Sequence, residues 1–180
     1  MAASPKNKRD KAWLGWFIMQ LIVIFLIDAV QFYPPELYKA PGSPLYFLQQ
    51  MKDFYISTYN DPLVQSATAP NWMHLVSVVE IGFQLPVALY AVWRLSGSRG
   101  TSGPFELLLL AYAFETAFST LLCINDVFYW DPAVYSWEQK KVFLFQLYGS
   151  WLVIPTVMFV DMYWRLYSRL SATDAVKKTQ

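Results

Sequence analysis

The sequence predicts an all-α fold: a polytopic membrane four-helix bundle with a covering loop on one side and a central polar and aromatic cavity. Three observations carry this. Hydrophobic residues make up 56% of the 180 and charged residues only 15%, the balance of a chain that lives in lipid. Four apolar runs are each long enough to cross a hydrocarbon core, which takes about 20 helical residues. Three of those runs hold an acid, Asp28, Glu80 or Glu115. An ionisable group at that depth costs about 2.5–3.5 kcal/mol on insertion scales and turns inward toward a partner or a cavity.

Composition also excludes. A net charge of +1 does not advertise nucleic-acid binding. The single cysteine, Cys123, rules out an intrachain disulfide framework and any Cys-based metal site. The single histidine, His74, rules out a site needing two. There is no nucleotide loop and no covalent-nucleophile triad, so neither metal nor cofactor is expected. Eight Trp and twelve Tyr read either as interfacial belts or as an aromatic pocket.

Lys6, Lys8, Arg9 and Lys11 precede the first run. No small-x-small cleavage site ends that run, so it reads as a retained first helix, about Trp13 to Phe32, rather than a signal peptide. Pro34 and Pro35 stop it. Asp28 near its end either reaches interfacial water or belongs to an inward acid set. Residues 33–71 form a long, proline-punctuated loop. Within it, Leu45 to Tyr59 is too short and too polar to span and reads as an interfacial or re-entrant segment. Asn60-Asp61-Pro62 is a turn former, and Asp61 readily accepts backbone N–H groups there.

Helix 2, about Trp72 to Arg94, carries Glu80, Gln84 and Pro86. Glu80 and Gln84 share a helical face. Pro86 cannot donate to the carbonyl of Gly82, so a kink is expected there. His74 sits near the interface. Residues 96–104 are a short Gly/Ser turn. Helix 3, about Phe105 to Phe128, carries Glu115 and Ser119 on one face with Tyr112 a turn back; Glu106 reads as first-turn charge at a helix N-terminus. Ser136 to Lys141 reads as a polar helix start. Helix 4, about Val142 to Tyr167, holds Tyr148, Trp151 and Pro155. Gly149 and Ser150 permit close helix contact, and Asp161 beside Arg165 reads as an interfacial ion pair.

Lys and Arg concentrate in the N-tail, the 94–99 turn and the C-tail, which four spans place on one side; that side is expected to be cytosolic. The expected organisation is a cytosolic N-tail 1–11, a membrane domain 12–168 and a cytosolic tail 169–180. Loops 33–71 and 129–141 then face the lumen.

Several carboxyls in one small bundle cannot all be ionised and dry; desolvation and like charge keep at least one protonated. A protonated Glu beside an ionised Asp is a net −1 receptor for a cationic amine or a developing carbocation, with aromatic rings adding cation–π attraction. The same pair can protonate an alkene or epoxide and remove a proton elsewhere. Helix–helix glue by buried hydrogen bonds is the non-functional alternative.

Three motifs, in order and at matching spacing, carry a resemblance. They are Ile27-Asp28-Ala29-Val30 followed by Glu36-Leu37-Tyr38, then Asn60-Asp61-Pro62-Leu63-Val64-Gln65, then Trp72 through Glu80-Ile81-Gly82-Phe83-Gln84-Leu85-Pro86. The chain resembles the EXPERA-domain family, on its sigma-2-receptor-like branch, which is related to the emopamil-binding sterol isomerases. The resemblance implies a four-helix protein of the endoplasmic reticulum membrane with a lipid-accessible cavity, and homodimers. By matching position it assigns Asp28 to the ligand cation and a protonated Glu80 to hydrogen-bond Asp28. Asp61 would hold loop structure near the pocket, with Gln84, Tyr148 and Trp151 lining it. Lys177-Lys178 near the C-terminus looks like a dilysine retrieval signal.

Glu115 departs from the receptor branch: Glu115-Thr116 instead looks like the catalytic Glu-Thr of the isomerases. Those enzymes also need a His and a Glu four apart on helix 2, whereas His74 and Glu80 are six apart. Three expectations follow, the third being a regulator that binds other membrane proteins, for which the exposed loops would matter more than the cavity. The first is a protein binding a sterol-like, terpenoid or cationic amphiphilic ligand through Asp28, Asp61, Glu80, Gln84, Glu115, Ser119, Tyr148 and Trp151. The alternative is a sterol or terpenoid isomerase or cyclase using Glu80, Glu115 and Asp28. Expected partners are that lipid-like molecule and membrane lipids, not nucleic acid.

Overall fold

The structure is a computed structural model and describes residues 7–65, 68–98 and 100–178, with side chains to residue 173. Lys6, Arg99, the Lys177-Lys178 side chains and the two residues after them lie outside it. Every regular element among the described residues is helical. Four stretches are long and apolar enough to cross a membrane: Lys8–Phe32, Asn71–Ser96, Gly103–Tyr129 and Trp137–Thr173. The chain divides into two compact units, Gly15–Val92 and Met1–Leu14 with Trp93–Gln180.

The first helix, α1 (Lys8–Leu26), contributes its residues from Gly15 onward to the Gly15–Val92 unit. It does not run on to Phe32 as an α-helix: Ile27 leaves helical geometry, and Asp28–Phe32 tightens into a 3₁₀ turn ahead of Pro34-Pro35. The pre-proline restriction favours such a stop. The expected long loop is largely helical. Pro35 starts α2 (Pro35–Tyr38) from its first turn, and α3 covers Tyr46–Tyr59. Val30, Tyr38 and Leu48 bury together, with Leu26, Tyr33 and Leu45 around them. The other face of α3 leaves Phe47, Met51 and Phe54 exposed at helical spacing, an apolar stripe suited to a bilayer surface. Asn60 ends α3 in the left-handed conformation (φ 53°), its N–H donating to the Ile56 carbonyl.

The second span reads α4 (Asn71–Val79), a π turn (Glu80–Gln84) and α5 (Leu85–Ser96). The irregularity expected at Pro86 takes the form of this wider turn: the Leu85 N–H reaches back five residues to the Glu80 carbonyl. Proline withdraws one i→i−4 donor, and the turn before it loosens to i→i−5. Single π turns inside helices are frequent at functional sites.

In the second unit, Pro104 sits in the first turn of α6 (Gly103–Tyr129). Ser136 and Gln139 form a reciprocal capping box that starts α7 (Trp137–Lys141). A π turn (Val142–Leu147) leads into α8 (Tyr148–Lys178). Leu109, Tyr112, Ala113, Met158 and Met162 are fully buried where α6 meets α8. Gly149 has a local role rather than the expected interhelical one: a Cβ there would lie 2.6 Å from the Leu144 carbonyl oxygen of its own π turn. Gly149→Ala is therefore expected to cost about 1–3 kcal/mol as overpacking. Thermal unfolding in detergent checks it, and an unchanged midpoint would contradict it.

One end of this unit is held by an ion network. Arg165 bonds Asp10 at 2.6 Å, Asp161 at 2.8 Å and the Thr101 hydroxyl at 3.1 Å. Asp161 also accepts from Arg9 at 2.6 Å and from the Trp13 indole at 2.8 Å. The Asp161–Arg165 pair is thus the middle of a larger array. Glu106 corrects its expected role. It is fully buried, accepting from Nε and Nη2 along one edge of the Arg169 guanidinium at 2.7 and 2.9 Å and from the Thr101 hydroxyl at 2.6 Å. The helix starts at Lys8 rather than Trp13 because Asp10 packs against protein, so the charged turn need not sit in water.

Candidate functional site

Asp28 opens the 3₁₀ turn and Glu80 opens the π turn, and their carboxyls are hydrogen-bonded to each other. Ionised carboxylates only accept hydrogen bonds, so a bond between two of them needs a proton on one. The pair therefore needs at least one proton, and its two members belong to two of the candidate spans. Neither residue is exposed to solvent as an ordinary surface acid; both are half-buried.

One turn on, Gln84 is buried and accepts a hydrogen bond from the Gln20 Nε2 at 3.3 Å. Sequence reading missed Gln20. Its signal was available: a carboxamide inside an apolar run, eight residues before Asp28 and so about two turns away on a related face. Its own Oε1 is buried with no hydrogen-bond partner among the described residues. Gln20→Leu is expected to destabilise by about 1–3 kcal/mol, because Gln84 is then buried unpaired, whereas Gln20→Leu with Gln84→Leu should be close to neutral. Unfolding of the two variants side by side decides it; a double variant worse than the single refutes the pairing.

Asp61 is fully buried, and its carboxylate serves the loop. Oδ1 accepts the Leu63 N–H at 2.9 Å and Oδ2 accepts the Tyr55 hydroxyl at 2.8 Å. Burial, then the charge and hydrogen bond of Asp61, with smaller contributions from Tyr59 and Asp28, push the Tyr55 phenol well above its usual range. Tyr55 thus stays a neutral donor. The turn-former reading describes what Asp61 does here. His74 is exposed at the start of α4.

The other expected site residues belong to the second unit. Glu115 is half-buried on α6, and Thr116, Ser119 and Tyr112 beside it are buried. The Ser119 hydroxyl donates to the Thr116 carbonyl at 3.1 Å, so it is turned to its own helix. Tyr148 and Trp151 are half-buried, and the Tyr148 ring lies 5.9 Å from that of Phe143. Cys123 is buried, where it fills space as a small apolar side chain. Lys140, read as part of a polar helix start, is instead buried, donating to the Trp130 carbonyl at 2.7 Å and to that of Phe128 at 3.4 Å.

Four helices long and apolar enough to cross a membrane fit a multi-pass helical membrane protein. The model of the EXPERA family, the expanded EBP superfamily, matches residues 47–162, and the chain belongs to that family. The chain is also similar to the Efficient mitochondria targeting-associated protein 19 of Schizosaccharomyces pombe. They are 28% identical over 166 residues, which is 92% of this chain and 81% of the relative.

Proposed function

We propose that this protein binds a sterol-like, isoprenoid-like or cationic amphiphilic ligand in the endoplasmic reticulum membrane, with the Asp28–Glu80 pair as its polar anchor. The observation that carries this reading is the hydrogen bond between those two carboxyls at membrane depth. Maintaining a net −1 pair in apolar surroundings is expensive, and a visiting cation or proton-rich group offsets that cost. Tyr55, a neutral hydroxyl held by Asp61, lies within the electrostatic reach of Asp28. Gln84 and Gln20 supply carboxamides a turn or two away. Saturable binding of a radiolabelled cationic amphiphile and of an oxysterol to the purified protein tests the reading. Absence of saturable binding for both overturns it.

A second reading is favoured by Glu115 with Thr116, a carboxyl and a hydroxyl at the depth of the third span. In it the protein is a membrane isomerase or cyclase. A neutral carboxyl protonates an alkene or epoxide of a sterol or terpenoid, a carboxylate steadies the cation, and a proton leaves from a neighbouring carbon to a carboxylate. Incubation with such candidates and mass spectrometry for isomeric products separates the two readings, and turnover lost in Glu115→Gln would favour the enzyme. The name of the fission yeast relative speaks of association with mitochondrial targeting; such a role for this chain is a separate proposal, compatible with ligand binding. The proposed topology has both termini cytosolic, with residues 177–178 acting as a retrieval signal. A proposed homodimer is open to cross-linking in membranes.

A further inference from the structure

The ion network of the second unit borders a cavity of about 340 Å³, lined by Arg9, Asp10, Glu106, Trp164, Arg165 and Arg169 among others. That volume is at the lower end of the range for small-ligand sites. Its inner wall and its rim have different chemistry. On the wall, Asp10 and Glu106 are buried, and each already accepts a short bond from an arginine. At the rim, Arg9 and Arg169 are about half exposed or more, with side-chain exposures of 62% and 51%. Each is anchored by part of its guanidinium only. Arg9 donates from Nη1 to Asp161, and Arg169 donates from Nε and Nη2 to Glu106 and the Thr101 carbonyl. Arg9 Nε and Nη2 and Arg169 Nη1 have no acceptor among the described residues. The acids therefore act as tethers: they hold two guanidiniums in place and leave N–H groups to a visitor.

We propose that this cavity binds a phosphate anion, presented by the headgroup of an anionic glycerophospholipid or as free phosphate. Guanidinium N–H edges fixed in position are the geometry that recognises phosphate oxygens. The cavity belongs to the ends of the spans Lys8–Phe32, Gly103–Tyr129 and Trp137–Thr173, the level at which lipid phosphates lie. Trp164, exposed at the rim, is the residue type that settles at headgroup depth. Basic pockets between spanning helices are a recurring form of headgroup recognition. This inference does not depend on the ligand reading at Asp28 and Glu80.

The test is thermal unfolding of the purified full chain in a neutral detergent at constant ionic strength. The additives are phosphatidylglycerol, phosphatidylcholine, oleate and inorganic phosphate in parallel arms. Two variants accompany the wild type. Arg9→Gln removes the most exposed cation while Asp161 keeps Arg165 and Trp13. Arg169→Lys keeps a cation for Glu106 but loses the fork. Each protein is compared with its own phosphatidylcholine baseline, so a variant of lower intrinsic stability still reports. Phosphatidylglycerol is expected to raise the wild-type midpoint by several degrees over phosphatidylcholine and oleate, with at least half of that rise lost in both variants. Inorganic phosphate reproducing the rise supports the site and names free phosphate as the source; its failure to do so names the lipid. Equal midpoints with phosphatidylglycerol and phosphatidylcholine overturn the proposal. So does an equal rise with oleate, which shows response to charge alone, and so does a full rise retained in both variants.

Discussion

Arg165→Met is expected to destabilise the protein by about 3–5 kcal/mol, the range for breaking a buried ion pair by removing one partner. Arg165 is 13% exposed and ties Asp10 and Asp161, whose side chains are 3% and 7% exposed. The two acids are not equally vulnerable. Asp161 keeps Arg9 and the Trp13 indole when Arg165 is lost. Among the described residues Asp10 keeps only the Asn7 N–H at 3.3 Å, so most of the loss is expected from an uncompensated charge at Asp10. It follows that Arg165→Met with Asp10→Asn should recover part of the stability, while Arg165→Met with Asp161→Asn should recover less. A double-mutant cycle on unfolding midpoints in detergent measures both. A single Arg165→Met variant as stable as wild type would show that the array contributes nothing net.

What could be read from the chain alone depended on how local the cause is. The four spans are set by residues within one helix length of each other, so length and hydropathy located the middle two to within about two residues and the ends of the first and fourth to within about six. Pro86 advertised a disturbance because its missing N–H acts on a carbonyl four residues back; the form it takes, a π turn that begins at Glu80, required the fold. Partners far apart in sequence were not legible. Glu106 and Arg169 are 63 positions apart and Asp10 and Arg165 are 155 apart, and in a linear reading each is merely a charge near a helix end. Lys140 misled for the same reason: a lysine in a polar stretch looks solvated until the carbonyls of Trp130 and Phe128 are seen to cap it. Gln20 was overlooked although an amide inside an apolar run is itself a signal, because its partner Gln84 lies 64 positions away. The acids at 28 and 80 stood out because a carboxyl inside a span is costly wherever its partner lies. Family motifs then supplied what energetics could not, namely that these two belong together.

The largest functional effect is expected from Asp28→Asn. Asp28 is hydrogen-bonded to Glu80, and in the proposed reading it is the carboxylate that meets the cation; replacing it by an amide removes that carboxylate while leaving a side chain of nearly the same shape. Losing one partner of a desolvated, hydrogen-bonded charge pair costs about 2–5 kcal/mol in binding, which is about 30-fold to several-thousand-fold in Kd for a cationic amphiphile. Glu80→Gln should also weaken binding. There the amide offers a second N–H for which the pair has no acceptor, and the proton can no longer move between the two groups. The comparison separates charge from shape. A neutral ligand of similar size should lose much less affinity in Asp28→Asn than the cation does, because its binding rests on apolar contact. Equal losses for charged and neutral ligands would mean that the substitution distorts the 3₁₀ turn instead of removing a counter-charge. Undiminished cation affinity in both variants would leave the carboxyl pair as a structural clasp between α1 and the π turn.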